Sequence, residues 1–139
     1  TDRDQLRKLS VSEQQRLQKI AAEKIAGHEE EVVIIDTHAF ISSPEGYYPG
    51  LPEHVLKIIK PDNFVSVSAK PEEIYNRRMK DNTRSRDNIT LANIKKELDV
   101  QSGMISACAV ITGSPVRLVL NGEGKIDETA DKIIRAIGL

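Results

Sequence analysis

Two features of the sequence carry residue types that can act on phosphate groups: an acid after an apolar run, and a cluster of cations. Asp36 directly follows the apolar run at residues 32–35. This is the Walker B pattern, in which a carboxylate holds Mg²⁺ beside the phosphates of a nucleotide, directly or through water. A strand-terminal Asp is also common as a helix cap or turn residue, and His38 by itself favours a structural role. The pattern alone leaves both interpretations open.

The cations lie within residues 77–86, at positions 77, 78, 80, 84 and 86. Arg77 and Arg78 fall late in a predicted helix, where positive charge suits the helix macrodipole. Arg84 and Arg86 fall in a polar loop, and guanidinium groups match phosphate oxygens in a bidentate way. An arginine loop over a nucleotide would stabilise the charge that develops in phosphoryl transfer. A solvated loop with no ligand explains the same composition equally well.

Two other places could contact a nucleotide. Arg7 lies beside Leu6 near the start of the sequence, where it is either a phosphate contact or part of a helix surface. Asn121 and Gly122 follow a predicted strand, where the glycine either reverses the chain or lets the backbone approach a flat base. The glycine-rich loop GxxxxGK(S/T), which cradles phosphates in many nucleotide-binding proteins, is absent from the 139 residues.

Alternating helices and strands would position these side chains. Helical periodicity and capping residues predict helices over 10–27, 52–60, 71–80 and 88–112, and a last helix capped by Asp127. Apolar, β-branched runs predict strands at 32–35, 63–68 and 116–120, the first of them buried on both faces. Residues 42–52 and 81–88 read as loops. This order predicts an α/β fold with a parallel sheet, whose ligands bind at the carboxyl ends of the strands.

Composition narrows the class of protein. The chain has 139 residues, 39% apolar and 29% charged, with a net charge of −1, which fits one globular domain. Near-neutral charge and 4% aromatic residues argue against a nucleic-acid partner. Cys108 is the single cysteine, so no internal disulfide forms and a reducing cytoplasm is expected. The apolar runs are far shorter than the ~20 residues of a membrane span.

Four segments resemble, in the same order, segments of archaeal-type adenylate kinases, and together they cover essentially the whole chain. They are DRDQLRKLSVSEQQRLQKIAAEKIA, IDTHAFISSPEGYYPGLP, RRMKDNTRSRD and TGSPVRLVLNGEGKIDETADKIIRAIG. The resemblance implies a P-loop NTPase-like three-layer sandwich with a parallel sheet between helices. It also implies a cytoplasmic transferase that uses Mg²⁺ with ATP and interconverts ATP plus AMP with two ADP. Some members of the family are homotrimers.

The resemblance also implies roles for individual residues. Asp36 would be the metal ligand, and Asn121 and Gly122 would form the turn around the adenine of ATP. The lid arginines with a catalytic role would be Arg78, Arg84 and Arg86. The substrate-binding residues would be Arg7, Thr37, His38, Tyr48, Gly50 and Leu51. Bacterial adenylate kinases place an arginine shortly after the strand-end Asp, whereas this chain has His38-Ala39-Phe40 there, so that AMP contact must come from elsewhere.

The resemblance departs from the family pattern at the front, where members carry a strand and the P-loop. We therefore expect residues 1–139 to form a single kinase core that is N-terminally incomplete, with a short lid loop at 77–88. The central strand between the strands at 32–35 and 63–68 would be absent, so Ile34 and Val65 should not pair directly. On this expectation the 139 residues alone have little or no activity.

Two alternatives stay open at this point. The acceptor could be another nucleoside monophosphate, such as CMP or UMP, because acceptor choice depends on contacts that the sequence does not locate. The protein could also be a non-catalytic module that binds nucleotide or RNA through the cations at 77–86, in which case RNA binding would depend steeply on salt.

Overall fold

The computed structural model of the chain describes residues 3–6, 8–81 and 89–139. Helices and short strands alternate along these ranges, as the sequence predicted for a mixed α/β fold. In chain order the elements are α1 (Arg3–Leu6), α2 (Val11–Ala26), β1 (Phe40–Ser43), β2 (Gly46–Pro49), α3 (Glu53–Ile59), β3 (Phe64–Ser68), α4 (Pro71–Lys80), α5 (Leu91–Thr112), β4 (Val116–Leu120) and α6 (Ile126–Ala136). None of the described helices has the length and apolar character that a membrane span requires.

Strands β3 and β4 form a parallel ladder, and the chain between them passes through α4 and α5. Five residue pairs make up the ladder, from Phe64 opposite Val116 to Ser68 opposite Leu120. These strands confirm the predictions at 63–68 and 116–120. Because both strands run the same way, their carboxyl ends lie at one edge, which is where α4 begins and where the Asn121 turn starts.

The core forms where α3, β3 and α5 meet. Leu56, Phe64 and Cys108 make up a buried cluster, and Leu51 and Val116 pack against it. Burial of a side chain such as Leu56, which is 2% exposed, contributes on the order of 1.5–3 kcal/mol. This cluster fixes the amino-terminal half of the β3–β4 ladder and so holds its carboxyl edge in place.

The ends of the helices follow their capping residues. Ser10 precedes α2 and its hydroxyl accepts a hydrogen bond from the backbone N–H of Glu13. Helix α5 begins after Thr90, which caps it in the same way, and ends at Gly113 in the left-handed region with φ 71°. Its predicted start at Asn88 lies outside the described residues. The prediction that Asp127 caps α6 is wrong. Lys125 precedes the helix, and Asp127 lies in its first turn, where negative charge suits the helix dipole.

The predicted strand at residues 32–35 is wrong. These residues form no strand, and Val32, Val33 and Ile34 are 46%, 44% and 75% exposed. Among the described residues the only ladders are β1–β2 and β3–β4, so this run has no neighbour with which to share backbone hydrogen bonds. An apolar, β-branched run favours a strand through packing and pairing, and among the described residues this run has no pairing partner. Val65 pairs with Arg117 and not with Ile34.

The predicted loop at 42–52 contains a β-hairpin that the sequence pattern did not indicate. Strands β1 and β2 pair antiparallel, with Phe40 opposite Pro49 and Ser43 opposite Gly46. The backbone N–H of Gly50 donates to the carbonyl of Ala39 at 2.9 Å and extends the ladder by one pair. Serine, glycine and two prolines have low strand propensity, so the composition of this segment does not predict strands. Pro49 is tolerated because its strand has a neighbour on one side only among the described residues.

Candidate functional site

A cavity of about 220 Å³ opens at the carboxyl ends of β3 and β4. Its walls come from both strand ends, from α4 and α5, and from the first residue of the hairpin. The lining residues are Phe40, Val67, Ser68, Ala69, Ile74, Arg77, Arg78, Ile94, Glu97, Leu98, Gln101 and Asn121. A cleft at this edge of a parallel sheet is where α/β proteins bind their ligands, and two guanidinium groups make it suited to an anion.

Arg78 and Glu97 form an ion pair across the cavity wall. Nη2 of Arg78, on α4, donates to Oε2 of Glu97, on α5, at 2.8 Å. The two side chains are 28% and 31% exposed, so solvent and salt screen this pair less than a pair on the open surface. The charge of Arg78 is thereby compensated within the protein, and an anion that enters the cavity would compete with Glu97 for the guanidinium.

Arg77 has different partners from its neighbour. Its Nη2 donates to the backbone carbonyl of Asn121 at 2.8 Å, and its Nε donates to Oε2 of Glu123 at 3.1 Å. These contacts join α4 to the turn that follows β4. The position of Arg77 late in a helix was explained by the macrodipole alone, but the structure adds a tertiary role for this side chain.

The floor of the cavity contains a satisfied polar contact. Ser66, which points toward α5 and is 7% exposed, accepts a hydrogen bond from Nε2 of Gln101 at 3.1 Å. The same amide group lies 3.5 Å from the carbonyl oxygen of Val67. Because a buried hydroxyl without a partner would be costly, this contact fixes α5 against β3 directly under the cavity.

The hairpin closes one side of the cavity through Phe40. The ring of Phe40 meets Tyr47 edge to face, with ring centroids 5.2 Å apart. The ammonium of Lys96, on α5, lies 5.8 Å from the centroid of Tyr47, which is a cation–π distance. Aromatic and cation–π contacts therefore dock the hairpin on α5 and place Phe40 in the cavity wall.

Comparison with known proteins identifies the family. Residues 1–95 match a family described as an AAA domain. The adenylate kinase of Thermoplasma acidophilum is 41% identical over 138 residues, which cover 99% of this chain and 74% of that protein. The adenylate kinase of Methanocaldococcus jannaschii is 40% identical, with 97% of this chain and 71% of that protein covered. The adenylate kinase of Thermoplasma volcanium is 42% identical, with 98% and 74% covered.

This chain belongs to the archaeal adenylate kinases. Membership confirms the resemblance drawn from the sequence and the predicted fold class, a P-loop kinase domain with a parallel sheet and flanking helices. It also confirms the enzyme class, because the curated relatives are nucleoside monophosphate kinases. The positions that were assigned through the resemblance can now be located in the structure.

Asn121 and Gly122, the adenylate kinase residues assigned to the adenine turn, lie between two cavities. Asn121 lines the cavity described above, and Gly122 lines a second cavity of about 270 Å³. The second cavity carries three lysines and three glutamates, so it has no net charge: Lys70, Lys125, Lys132, Glu73, Glu123 and Glu128. The charge of Lys125 and a hydrogen bond from Lys132 hold the pKa of Glu128 below its ordinary value. The turn thus has an arginine-lined cavity on one side and a balanced one on the other.

The adenylate kinase residues assigned beside AMP lie on the hairpin. A Cβ atom on Gly50 would lie 1.9 Å from the carbonyl oxygen of His38, so only glycine fits this position. The phenol of Tyr48 donates a hydrogen bond to Oε2 of Glu45, and this bond raises the pKa of Tyr48 above its ordinary value. Leu51 packs against the core cluster, and its carbonyl lies 3.8 Å from Sγ of Cys108.

Asp36, Thr37 and His38 lie outside the arginine-lined cavity. All three are exposed and lie in the segment that forms no strand, and only Phe40, two residues further on, reaches the cavity wall. The described residues contain no group of three or more His, Cys, Asp or Glu side chains that could hold a metal ion by themselves. A nucleotide-bound Mg²⁺ needs only one or two carboxylates, since phosphates and waters supply the other oxygens. Asp36 offers one exposed carboxylate, and its role as a metal ligand stays a prediction.

Three of the assigned arginines, Arg7, Arg84 and Arg86, lie outside the described residues, and their roles remain predictions.

Sequence reasoning missed Glu97 and Gln101, although α5 carried a signal for them. Ile94, Glu97, Leu98 and Gln101 follow the spacing i, i+3, i+4 and i+7 and all line the cavity. Two polar residues on the apolar stripe of a helix indicate a polar site under that face. The partners of Arg77 carried no such signal, because Asn121 is 44 positions away in the sequence.

Proposed function

We propose that this protein catalyses reversible phosphoryl transfer from ATP to AMP, which yields two ADP. Identity of about 40% to curated adenylate kinases across nearly the whole chain is the observation that supports this most strongly. The cavity at the carboxyl edge of the β3–β4 ladder, with Arg77 and Arg78 in its wall, supports the same conclusion. A nucleotide has a flat base and anionic phosphates. The turn at Asn121 and Gly122 would bind the base, and the arginine-lined cavity would bind the phosphates.

Arg78 is the described residue best placed to meet the phosphates. Its guanidinium is paired with Glu97 at 2.8 Å. We propose that a phosphate oxygen pair takes the place of the Glu97 carboxylate, since a guanidinium binds either group in the same bidentate way. Glu97 is partly exposed, so water can solvate its carboxylate once Arg78 has left it. The pair thereby holds Arg78 in the cavity wall until the nucleotide arrives.

The remaining assignments extend this arrangement. Arg84 and Arg86 would close over the phosphates as lid arginines, and the Asn121–Gly122 turn would receive the adenine of ATP. Thr37 and His38 would lie near the transferred group. Arg7, Tyr48, Gly50 and Leu51 would bind AMP. Asp36 would hold Mg²⁺, which neutralises charge on the phosphates when bound.

Catalysis in this proposal consists of positioning and charge stabilisation, with no covalent intermediate. The residues of the chain orient the two nucleotides and place positive charge where the transferred group becomes more negative.

Assembly as a homotrimer, which the resemblance implied, is part of the proposal. Velocity sedimentation tests the assembly independently of the catalytic roles.

A coupled assay of ADP formation by the protein from its natural gene tests the proposed reaction. We expect AMP to be a far better acceptor than CMP or UMP. Replacement Arg78→Gln should lower kcat/KM by about 10²-fold or more, the size of effect seen when one charge-stabilising donor is removed. Arg117, an exposed arginine on β4 that lines neither cavity, provides the matched control, and Arg117→Gln should change kcat/KM by less than about twofold.

Each other outcome points elsewhere. Faster transfer to CMP or UMP than to AMP would make the protein a kinase for that acceptor. Absence of ADP formation with all three acceptors, combined with RNA binding that falls steeply with salt, would reject the enzyme and favour an RNA-binding module.

A further inference from the structure

We propose that Arg77 is a positioning residue that holds the turn at residues 121–124 in the shape that binds the base of the nucleoside triphosphate. The inference rests on the proposed function, because it takes this turn as the base-binding element. It adds a residue that the resemblance did not assign. It also gives the neighbouring arginines different tasks: Arg78 meets the anion, and Arg77 shapes the turn.

The contacts of Arg77 span the turn. One guanidinium donates both to the backbone carbonyl of Asn121 at 2.8 Å and to the carboxylate of Glu123 at 3.1 Å. These two acceptors are two residues apart, so a single planar group fixes the direction of the chain through Gly122. A lysine cannot replace this contact, because an ammonium is a compact point charge without the rigid fork of a guanidinium.

Helix α4 holds the turn at another point. The carboxylate of Glu73, one helical turn before Arg77, lies 3.5 Å from the backbone nitrogen of Glu123 and accepts its N–H. Acceptor and donor therefore alternate along one face of α4, complementary to the turn: Glu73 takes a backbone N–H and Arg77 gives to a backbone carbonyl. This pattern fixes the peptide groups on both sides of Gly122.

The turn needs such support because its sequence is permissive. It contains Gly122 and Gly124, and Gly124 has φ 69°, in the left-handed region. Two backbone hydrogen bonds also hold it: Asn121 N–H donates to the carbonyl of Ser68 at 2.7 Å, and Lys125 N–H donates to the carbonyl of Gly122 at 3.1 Å. Neither of these bonds, nor that of Glu73, engages the carbonyl of Asn121. Without Arg77 the peptide between Asn121 and Gly122 would be held less tightly, and a ligand would have to order it on binding.

The two contacts of Arg77 should differ in weight. The side chain of Glu123 is 74% exposed and that of Arg77 is 36% exposed, so solvent weakens their ion pair. The bond to the Asn121 carbonyl is part-buried and shorter, so we expect it to carry most of the effect. Replacement of Glu123 should therefore do less than replacement of Arg77.

Position on α4 gives the arrangement a further consequence. Arg77 and Arg78 are consecutive, and Arg78 is tied to Glu97 on α5. Any shift of α4 that follows binding of phosphate by Arg78 is transmitted directly to the turn by Arg77. The base and the phosphates of one nucleotide are thereby recognised by a single rigid helix.

Amide hydrogen exchange in the ligand-free protein tests the positioning role. We expect exchange at the amides of Glu123 and Lys125 to be about tenfold faster in Arg77→Gln, as the loss of one net hydrogen bond predicts. Arg77→Lys should have nearly the full effect and Glu123→Gln a smaller one. The amide of Val119 in β4 should keep its wild-type rate in all three variants, and Arg117→Gln is the control variant.

Nucleotide binding and kinetics test the consequence. Arg77→Gln should raise the Kd and KM for ATP by about 5- to 20-fold, with kcat within about threefold and the KM for AMP within about twofold of wild type. Unchanged exchange at Glu123 and Lys125 would overturn the inference. So would a fall in kcat with both KM values unchanged, because Arg77 would then act on the reaction itself. A wild-type protein that binds no ATP would reject the proposed function, while the exchange rates would still show whether Arg77 orders the turn.

Discussion

Two regions that contain apolar, β-branched residues differ in structure. Residues 32–35 (VVII) form no strand, and Val32, Val33 and Ile34 are exposed, whereas β3 and β4 form a parallel ladder in which Phe64 and Val119 are 7% and 5% exposed. Apolar, β-branched character is common to both regions. Of these two regions, only the second contains paired strands among the described residues. The comparison shows that such a run becomes a strand through its partners, and that its composition is permissive only.

The same difference separates the residues that could carry chemistry. Asn121 follows β4 directly and lines the arginine cavity together with Arg77 and Arg78. Asp36 follows the unpaired run and lies outside that cavity. Because the rule that ligands bind at the carboxyl ends of strands depends on strands being formed, it holds at β3 and β4. The rule does not apply to Asp36, because the run before it forms no strand in the described structure.

The largest expected difference between the two regions is in stability. Leu56 is 2% exposed in the core cluster below β3, and Ile34 is 75% exposed. Replacement Leu56→Ala should lower the free energy of unfolding by about 3 kcal/mol, since it removes buried methyl groups and leaves a cavity. Ile34→Ala should change it by less than about 0.5 kcal/mol. Urea denaturation of both variants measures the two values. A fall of about 2 kcal/mol or more in the free energy of unfolding for Ile34→Ala would mean that residues 32–35 are packed in solution.

A smaller effect is expected beside the hairpin, which lies between the two regions in the sequence, at the close contact of Gly50 with His38. A Cβ at position 50 would overlap the His38 carbonyl, so Gly50→Ala must push the hairpin away from residues 38–39. We expect a loss of about 1–3 kcal/mol, the usual cost of overpacking. Gly103, inside α5 with open space around its Cβ, provides the control, because Gly103→Ala should stabilise the helix by up to about 1 kcal/mol.

Thermal melts of the two glycine variants should therefore shift in opposite directions. A wild-type melting temperature for Gly50→Ala would show that the segment before the hairpin adapts freely and is held by nothing near His38. A loss in Gly103→Ala would mean that this face of α5 is covered in solution.

Local patterns were sufficient for much of the fold. The strands at 64–68 and 116–120 and the helix stops at Gly27 and Gly113 each followed from residues within a few positions. The hairpin was missed for a local reason, since prolines and glycine disfavour strands. The other failures come from dependence on distant parts of the chain: among the described residues, the run at 32–35 has no partner strand. The tertiary contact between Arg77 and Asn121 joins residues 44 positions apart. The cavity edge could be predicted from topology, and the spacing of Glu97 and Gln101 on the apolar stripe of α5 indicated a polar wall, but their contacts with Arg78 and Ser66 join distant parts of the chain.

A further prediction compares a glutamate in the cavity wall with a glutamate just before the run at 32–35. Glu97 pairs with Arg78 in the cavity wall, and Glu30 pairs with His28 at 3.0 Å in the exposed segment. Glu97→Gln should cost about 1 kcal/mol of stability, after discounting for the partial exposure of the pair. It should also tighten binding of ATP by a few-fold, because Arg78 no longer has to leave a carboxylate. Glu30→Gln should leave both quantities at wild-type values. Calorimetric titration with ATP decides the matter, and weaker binding in Glu97→Gln would mean that Glu97 orients Arg78 for the ligand.

The smallest expected effect concerns the hairpin that links the two regions. Its Tyr48 donates a hydrogen bond to Glu45, and this bond raises the pKa of Tyr48. Since the folded pKa lies above that of the unfolded chain, near 10, the bond's contribution is complete below about pH 10 and is lost as the pH rises through the folded pKa. Titration of the Tyr48 Cζ resonance should show its pKa falling toward about 10 in Glu45→Gln. Glu53→Gln, which alters an exposed pair on α3, should leave it unchanged. An identical titration in wild type and Glu45→Gln would mean that the phenol does not bond to Glu45 in solution. The hairpin would then lack this contact, as the exposed run before it lacks a partner strand among the described residues.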